Sequence, residues 1–270
     1  MSSTESSAGS YRIRVLERAY LIIDEVTAGP RTVPELAEKL DIDPATVYRI
    51  VRNLSHEGYL RQLDDSYRYG LGFKFLQLGH RLLEEMDLRE IARPYLEELS
   101  ERTGESSFLS LRDRYEVIFV DRVDGMQGIR LSVRVGDRRP LNAGAAGKLL
   151  LAYAPKNIIE AVVGDYATKV TDRTIVEEKA LRAEIRRIHD AGYAESRGEN
   201  TPGAGSFAAP IWDARGIVVA GLVLGGPQDR LLNEHHDRNL RAVLEIGAAI
   251  SKELGATTES YPKAAVDIQP

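Results

Sequence analysis

Apolar positions along this chain recur at helical spacing in its first hundred residues, and strand-like alternation takes over in stretches beyond that point. Ile13, Leu16, Ala19, Tyr20, Ile23 and Val26 line one face of a first helix, which Gly29-Pro30 ends. Thr32 and Glu35 form a capping box that opens a short helix through Leu36, Ala37 and Leu40, with Asp41-Ile42 as the turn after it. Asp43 then suits an N-cap, Pro44 a first helical turn and Gly58 a helix end, so residues 43–58 complete a helix-turn-helix. YLRQL and YRYGL flank Asp64-Asp65-Ser66 as a hairpin, the wing of a winged helix-turn-helix over residues 12–72. Residues 73–87 read as a linking helix with apolar positions at 73, 76, 78, 82, 83 and 86. That stripe suits either a copy of itself in a dimer or the face of a second domain.

Residues 88–254 have mixed character. A helix over 89–102 contains Pro94 and stops at Thr103-Gly104, and strands are expected at 107–111, 116–123 and 129–135. Helices follow at 145–154, 156–164 and 177–191, the last closed by Gly192; strands return at 193–194, 206–211 and 217–224, and a helix over 233–254 ends the domain. The expected fold is α+β, a six-stranded antiparallel sheet flanked by helices behind the winged helix. Residues 1–11 and 255–270 read as disordered tails.

Composition narrows the classes of function. With no cysteine there is no disulfide framework, thiol nucleophile or cysteine zinc site, and a reducing cytoplasm fits. No apolar run reaches the roughly 18 to 20 residues that span a bilayer, so no membrane partner is expected. The net charge of −5 supplies no global attraction to nucleic acid, and any DNA binding must come from a local basic surface. One such surface is the outer face of residues 43–58. Val47, Ile50, Val51 and Leu54 fall on its buried side, and Thr46, Tyr48, Arg49, Arg52 and Asn53 fall outside it. Arg49 and Arg52 are the first candidates to read bases or phosphate, Thr46, Tyr48 and Asn53 the second, and Arg61 and Arg68 would anchor the wing to phosphate. A charged face on an isolated helix is usually just solvated. The helix-turn-helix context is what changes that reading.

Five ordered segments, LAEKLDIDPATVYRIVRNLSHEGYL, YRYGLGFKFLQLG, IARPYLEELSERTGES, RPLNAGAAGKLLLA and FAAPIWDARGIVVAGLVLGGP, resemble the IclR family of bacterial transcription regulators. The resemblance spans about residues 12–254. It implies a winged helix that binds double-stranded DNA at a pseudo-palindromic operator, a linker helix, and a GAF/PAS-like domain that binds a small effector in a homodimer or tetramer. One effector wall would be the loop and helix start at Asn142, Ala145 and Ala146, whose backbone N–H groups favour a carboxylate. Lys148 either adds charge there or faces solvent. The opposing wall would include Ser196 and Ser206, at places where family members often carry an acidic residue and a cysteine. Glu199 reads as a brace for that loop. Val223 and Gly225 stand where the family has serines, so an aromatic or medium-chain carboxylic acid is expected as effector of a repressor of a catabolic operon.

Other classes are weaker. His235-His236 point about 100° apart on a helix and do not converge on a metal, and no P-loop or dinucleotide fingerprint occurs, so neither an enzyme nor a cofactor is expected. The alternative is a ligand-binding protein whose winged helix contacts protein in place of DNA, which the acidic net charge favours.

Overall fold

Residues 13–63, 67–84 and 87–257 are described by the structure, a computed structural model, and fall in two compact units, 1–86 and 87–270. Arg12 and the expected N-terminal tail, the wing tip Asp64-Asp65-Ser66, residues 85–86 and the tail from 258 onward lie outside the described residues.

In the first unit, α1 (Arg14–Thr27), α2 (Val33–Leu40) and α3 (Pro44–His56) enclose a core of Ile22, Val26, Leu36, Val47, Ile50 and Val51, closed by Leu60 of the wing. The local signals act as their chemistry dictates. Thr32 Oγ1 accepts from Glu35 N, and Glu35 Oε2 accepts from Thr32 N at 2.8 Å, which is the capping box. Asp41 takes the left-handed conformation at the turn, and Asp43 Oδ2 accepts from Thr46 N at 2.9 Å to cap α3. The wing is an antiparallel pair, β1 (Leu60–Leu63) and β2 (Arg68–Leu71), in which Leu60 faces Leu71. Gly72 brings the returning chain against the end of α3: a Cβ there would lie 2.0 Å from Gly58 O. Only glycine fits so close an approach. The linker helix α4 (Phe73–Glu84) follows, with Phe75 edge-on to Tyr59 at 5.4 Å.

In the second unit six strands form one antiparallel sheet in the order β5-β4-β3-β8-β7-β6. They are β3 (Ser106–Asp113), β4 (Glu116–Val123), β5 (Arg138–Pro140), β6 (Ala194–Arg197), β7 (Ala204–Trp212) and β8 (Val218–Pro227). Helices α5 (Asp87–Thr103) and α9 (His236–Glu253) pack on one face. On the other lies α6 (Gly144–Ala152), with α8 (Glu178–Ala191) outside it and α7 (Lys156–Ala161) running into a π-turn over Val162–Tyr166. A bulge at Val120 switches sides along β4: Phe119 joins the α6 face, whereas Asp121 faces α5 and accepts from Arg93 at 3.1 Å.

Three expectations need correction. Residues 129–135 are not a strand; the edge strand is Arg138–Pro140 instead. Leu131 and Val133 do turn inward, but the main chain is held by side chains, Arg230 donating to Ile129 O and Arg122 to Val133 O. The last helix starts at His236, after a π-turn over Asp229–Glu234. Gly255 and Ala256, expected in the tail, close that helix, with Ala256 N donating to Ser251 O at 2.9 Å.

Gly147 lets α6 approach the sheet edge, since a Cβ there would lie 2.6 Å from Pro140 O. Gly147→Ala should therefore cost about 1–3 kcal/mol in denaturant unfolding of the full chain. In the first unit Thr32→Ala should cost about 1 kcal/mol. Glu35→Ala, which also removes a bond to Arg68 of the wing, should lower the melting temperature further. The Thr32 N–H, with help from Arg68, outweighs desolvation and holds the Glu35 carboxyl below its ordinary value of 4.5. Its contribution is therefore complete above that value and fades as pH falls through the lower folded one, so the Glu35→Ala difference should shrink in acid.

Candidate functional site

The outer face of α3 carries every polar residue that the helical period assigns to it. Thr46 is partly exposed, and Tyr48, Arg49, Arg52 and Asn53 are exposed, while Val47, Ile50 and Val51 hold the opposite face in the core. Neighbours on this face organise one another: Arg52 donates to Tyr48 Oη at 3.3 Å and lies over its ring, and Asn53 Nδ2 donates to Arg49 O at 2.8 Å. Thr46 Oγ1 donates to the capping carboxylate of Asp43. On the wing, Arg61 is exposed with its guanidinium 5.2 Å from the Phe73 ring centroid. Arg68 has a further occupation. It donates to Pro30 O at 2.9 Å and to Glu35 Oε1 at 2.8 Å, and so ties the wing to the start of α2.

In the second unit a cavity of about 60 Å³ lies between the α6 face of the sheet, the start of α6 and the loop after β6. Ala145, Ala146, Ser196, Ser206 and Val223, five of the six residues expected there, line it together. Asn142 does not line it. Its Nδ2 donates to Thr168 O and Ile175 O, and its Oδ1 accepts from Thr168 N, so this buried amide braces the 168–175 segment with its hydrogen-bonding groups spent.

The start of α6 is electrostatically complete on one side and open on the other. Glu199 Oε2 accepts from Gly144 N at 3.0 Å, whereas the next two amides, of Ala145 and Ala146, have no acceptor among the described residues. Glu199 thus braces the loop as expected, and it also lines the cavity. Its other oxygen accepts from Lys148 Nζ at 2.6 Å. Lys148 is 2% exposed, contrary to a solvent-facing reading, and its ammonium also donates to Glu184 Oε1 and Glu195 O, both at 2.9 Å. Burial opposes ionisation of Glu184, but bonds from Arg187 and Lys148 outweigh it and hold that carboxyl below the usual range. Lys148 and Arg187 therefore balance Glu184 and Glu199, and an anion at the free amides would meet no uncompensated negative charge from this cluster.

Sequence reasoning missed much of the lining. Phe108, Phe119, Leu131 and Val133 form its apolar wall, and Ser132, Arg139, Asn200 and Thr201 add polar groups. Polar groups thus reach the cavity from segments other than the strand of Val223 and Gly225. Alternation marked Phe108 and Phe119 as strand residues, but strand pairing and the Val120 bulge decide which face each occupies.

His236 is more enclosed than expected of a solvated helix residue. Bonds to Asp237 and Glu195 outweigh its desolvation and raise its pKa, and no cluster suited to a metal occurs among the described residues. No helix among the described residues is long and apolar enough to cross a membrane.

Comparisons agree with this two-part architecture. Residues 15–64 match the IclR helix-turn-helix domain, and residues 80–252 match the family described as bacterial transcriptional regulator IclR C-terminal. The chain is 33% identical over 248 residues to the glycerol operon regulatory protein of Streptomyces coelicolor, covering 90% of this chain and 97% of that one. It is 30% identical over 224 residues to the HTH-type transcriptional regulator KdgR of Escherichia coli, covering 83% and 85%. Among solved structures, the Thermotoga maritima IclR superposes with a TM-score of 0.74 at 29% identity, covering 90% of this chain and 100% of that one. An IclR homologue from Microbacterium hydrocarbonoxydans complexed with 4-hydroxybenzoate gives a TM-score of 0.78 at 25% identity, with the same coverage. A helix-turn-helix with an exposed basic face, followed by the matching C-terminal domain over most of the remaining chain, places this protein in the IclR family of bacterial transcriptional regulators.

Proposed function

We propose that this regulator acts as a repressor, gripping a pseudo-palindromic operator with two copies of α3, and that a small carboxylate in the cavity beside α6 controls that grip. The single observation that carries the effector half is the convergence of Ala145, Ala146, Ser196, Ser206 and Val223 on one cavity whose two helix-start amides lack acceptors among the described residues. Two amides at the positive end of a helix suit a carboxylate. The complex of a homologue with 4-hydroxybenzoate, itself a carboxylate, supports this class of effector.

For the DNA half, Arg49 and Arg52 read bases or phosphate, Thr46, Tyr48 and Asn53 assist, and Arg61 contacts backbone from the wing. Arg68 holds the wing in place for that contact. Assembly as a homodimer, or as a tetramer of two such dimers, is supported by apolar side chains left exposed within the chain, Val15, Leu16 and Tyr20 on α1 and Phe73 and Leu76 on α4. Half-sites would then lie about one helical turn, or a multiple of it, apart. Effector control requires different affinities for DNA-competent and DNA-incompetent arrangements, and a coupling of about 1–3 kcal/mol is typical.

Two measurements check this reading. Arg49→Ala should weaken binding to the protein's own control region about tenfold or more in fluorescence anisotropy, with little loss on random duplex and unchanged carboxylate affinity. Equal losses on both duplexes would assign Arg49 to phosphate. Calorimetric titration of the full chain should give binding with propionate and none with propionamide, which has the same shape without the charge; equal binding would remove the carboxylate from the proposal.

A further inference from the structure

The inner lining of the cavity beside α6 is shut off from solvent, since Phe108, Phe119, Val133, Ala145 and Val223 are all buried. A molecule that settles among them enters only where a wall yields. Most of the walls are tied down. The sheet is paired strand to strand, and α6 is fixed by the Lys148 cluster. In the loop after β6, Gly198 N donates to Ala204 O at 2.8 Å and Thr174 Oγ1 to Glu199 O at 2.7 Å.

The remaining wall is built differently. Residues 126–133 run between β4 and β5 and bring Leu131, Ser132 and Val133 to the cavity, yet among the described residues none of them takes part in a backbone–backbone hydrogen bond. Two arginine side chains hold this stretch: Arg122 donates to Val133 O at 2.8 Å and Arg230 to Ile129 O at 2.9 Å. Arg230 is a fixed post, because the buried carboxylate of Glu105 accepts from its Nη2 at 2.8 Å. The ends are anchored separately, with Gly125 N donating to Ser106 Oγ at 3.0 Å and Gly136 N to Phe119 O at 2.8 Å. Leu131 seats over β8 at Gly225, where a Cβ would lie 2.6 Å from Leu131 Cδ2. Met126 and Ile129 stay largely exposed, so closure buries only part of the apolar surface that the stretch carries. A segment with no main-chain ladder and few buried side chains opens at a fraction of the free energy of global unfolding.

Resting on the reading of this cavity as the effector site, we propose that residues 126–133 form a strap that opens as a unit while the sheet and α6 stay folded, and that this opening is the way into the cavity. Arg122 and Arg230 are its latches, positioning residues that act through the carbonyls of Val133 and Ile129. Opening breaks those two bonds and unseats Leu131 and Val133. It thereby uncovers Val223, which lies two residues before Gly225 on the same face of β8. A ligand seated behind the strap favours the closed form, and its exchange with solvent is set by the rate of opening.

The chain has no cysteine, so a single introduced thiol reports on its own position. The experiment follows the reaction of an aromatic disulfide reagent with the full-length Val133→Cys, Val223→Cys and Val243→Cys chains, Val243 being buried on α9 across the sheet. Without denaturant, Val133→Cys and Val223→Cys should react at a common rate at least about tenfold above that of Val243→Cys. Urea below the unfolding transition should hardly change the common rate, whereas that of Val243→Cys should climb steeply, because strap opening exposes little surface and global unfolding exposes much. Arg122→Ala, added to each of the first two, should raise both rates together by about tenfold. Arg122 is the latch to remove, since loss of Arg230 would strand the buried Glu105. Reaction of all three chains at one steeply urea-dependent rate overturns the strap as a separate unit. Fast Val133→Cys beside a Val223→Cys as slow as Val243→Cys overturns it as the way in, and rates unmoved by Arg122→Ala overturn the latch. Leu131→Cys takes the place of Val133→Cys if that chain does not fold. No acid enters this experiment, so its outcome decides the strap whatever the titration with propionate gives, and failure of that titration counts against the carboxylate alone.

Discussion

A buried ammonium holds the sensor half in shape. Lys148 sits inside the protein on α6 and is bonded to carboxylates from two other segments, Glu184 of α8 and Glu199 of the loop after β6, and to a backbone carbonyl of β6 itself. Burying a charge is costly unless it is paired and its donors are filled, and this lysine has three donors and three acceptors. Removing any one acceptor would leave part of that cost uncompensated, so the arrangement of helix, outer helix and loop is set with little freedom. The cavity is what remains between them. Its floor is the sheet, its end is the start of α6, and its rim is a loop whose Glu199 carbonyl is itself bonded by Thr171 and Thr174.

That economy explains why the same few residues are structural on one side and open to the cavity on the other. Glu199 consumes the first amide of α6 and neutralises Lys148, which leaves the second and third amides as the open positions. A carboxylate arriving there completes the helix start in the way a capping side chain would. Without the lysine behind it, Glu199 would repel such a visitor.

The N-terminal unit follows a different logic. It presents a surface, not a cavity, and holds that surface by contacts made along one helix and across one hairpin. Asp43 caps α3, Tyr48 supports Arg52 one turn away, and Arg68 reaches from the wing to the cap of α2. The net charge of the chain is −5, yet the exposed arginines of α3 and the wing keep a local basic surface, which is the scale on which phosphate is felt at physiological salt.

Much of the first unit was legible in the chain because its determinants are local. A capping box, an aspartate before proline, a glycine after the last turn and a helical period each act over a few residues, and the same period that buries Val47, Ile50 and Val51 turns Arg49 and Arg52 outward. In the second unit local pattern located helices and strands to within a few residues, and resemblance pointed to five lining positions. It mistook residues 129–135 for a strand, because inward alternation of Leu131 and Val133 looks the same whether the main chain pairs with a neighbour or is held by arginine side chains. It could not show that Asn142 is spent on the 168–175 segment or that Lys148 is interior. Those facts depend on residues tens of positions apart meeting at chosen distances, and no spacing along the chain encodes which of several compatible partners a side chain will find.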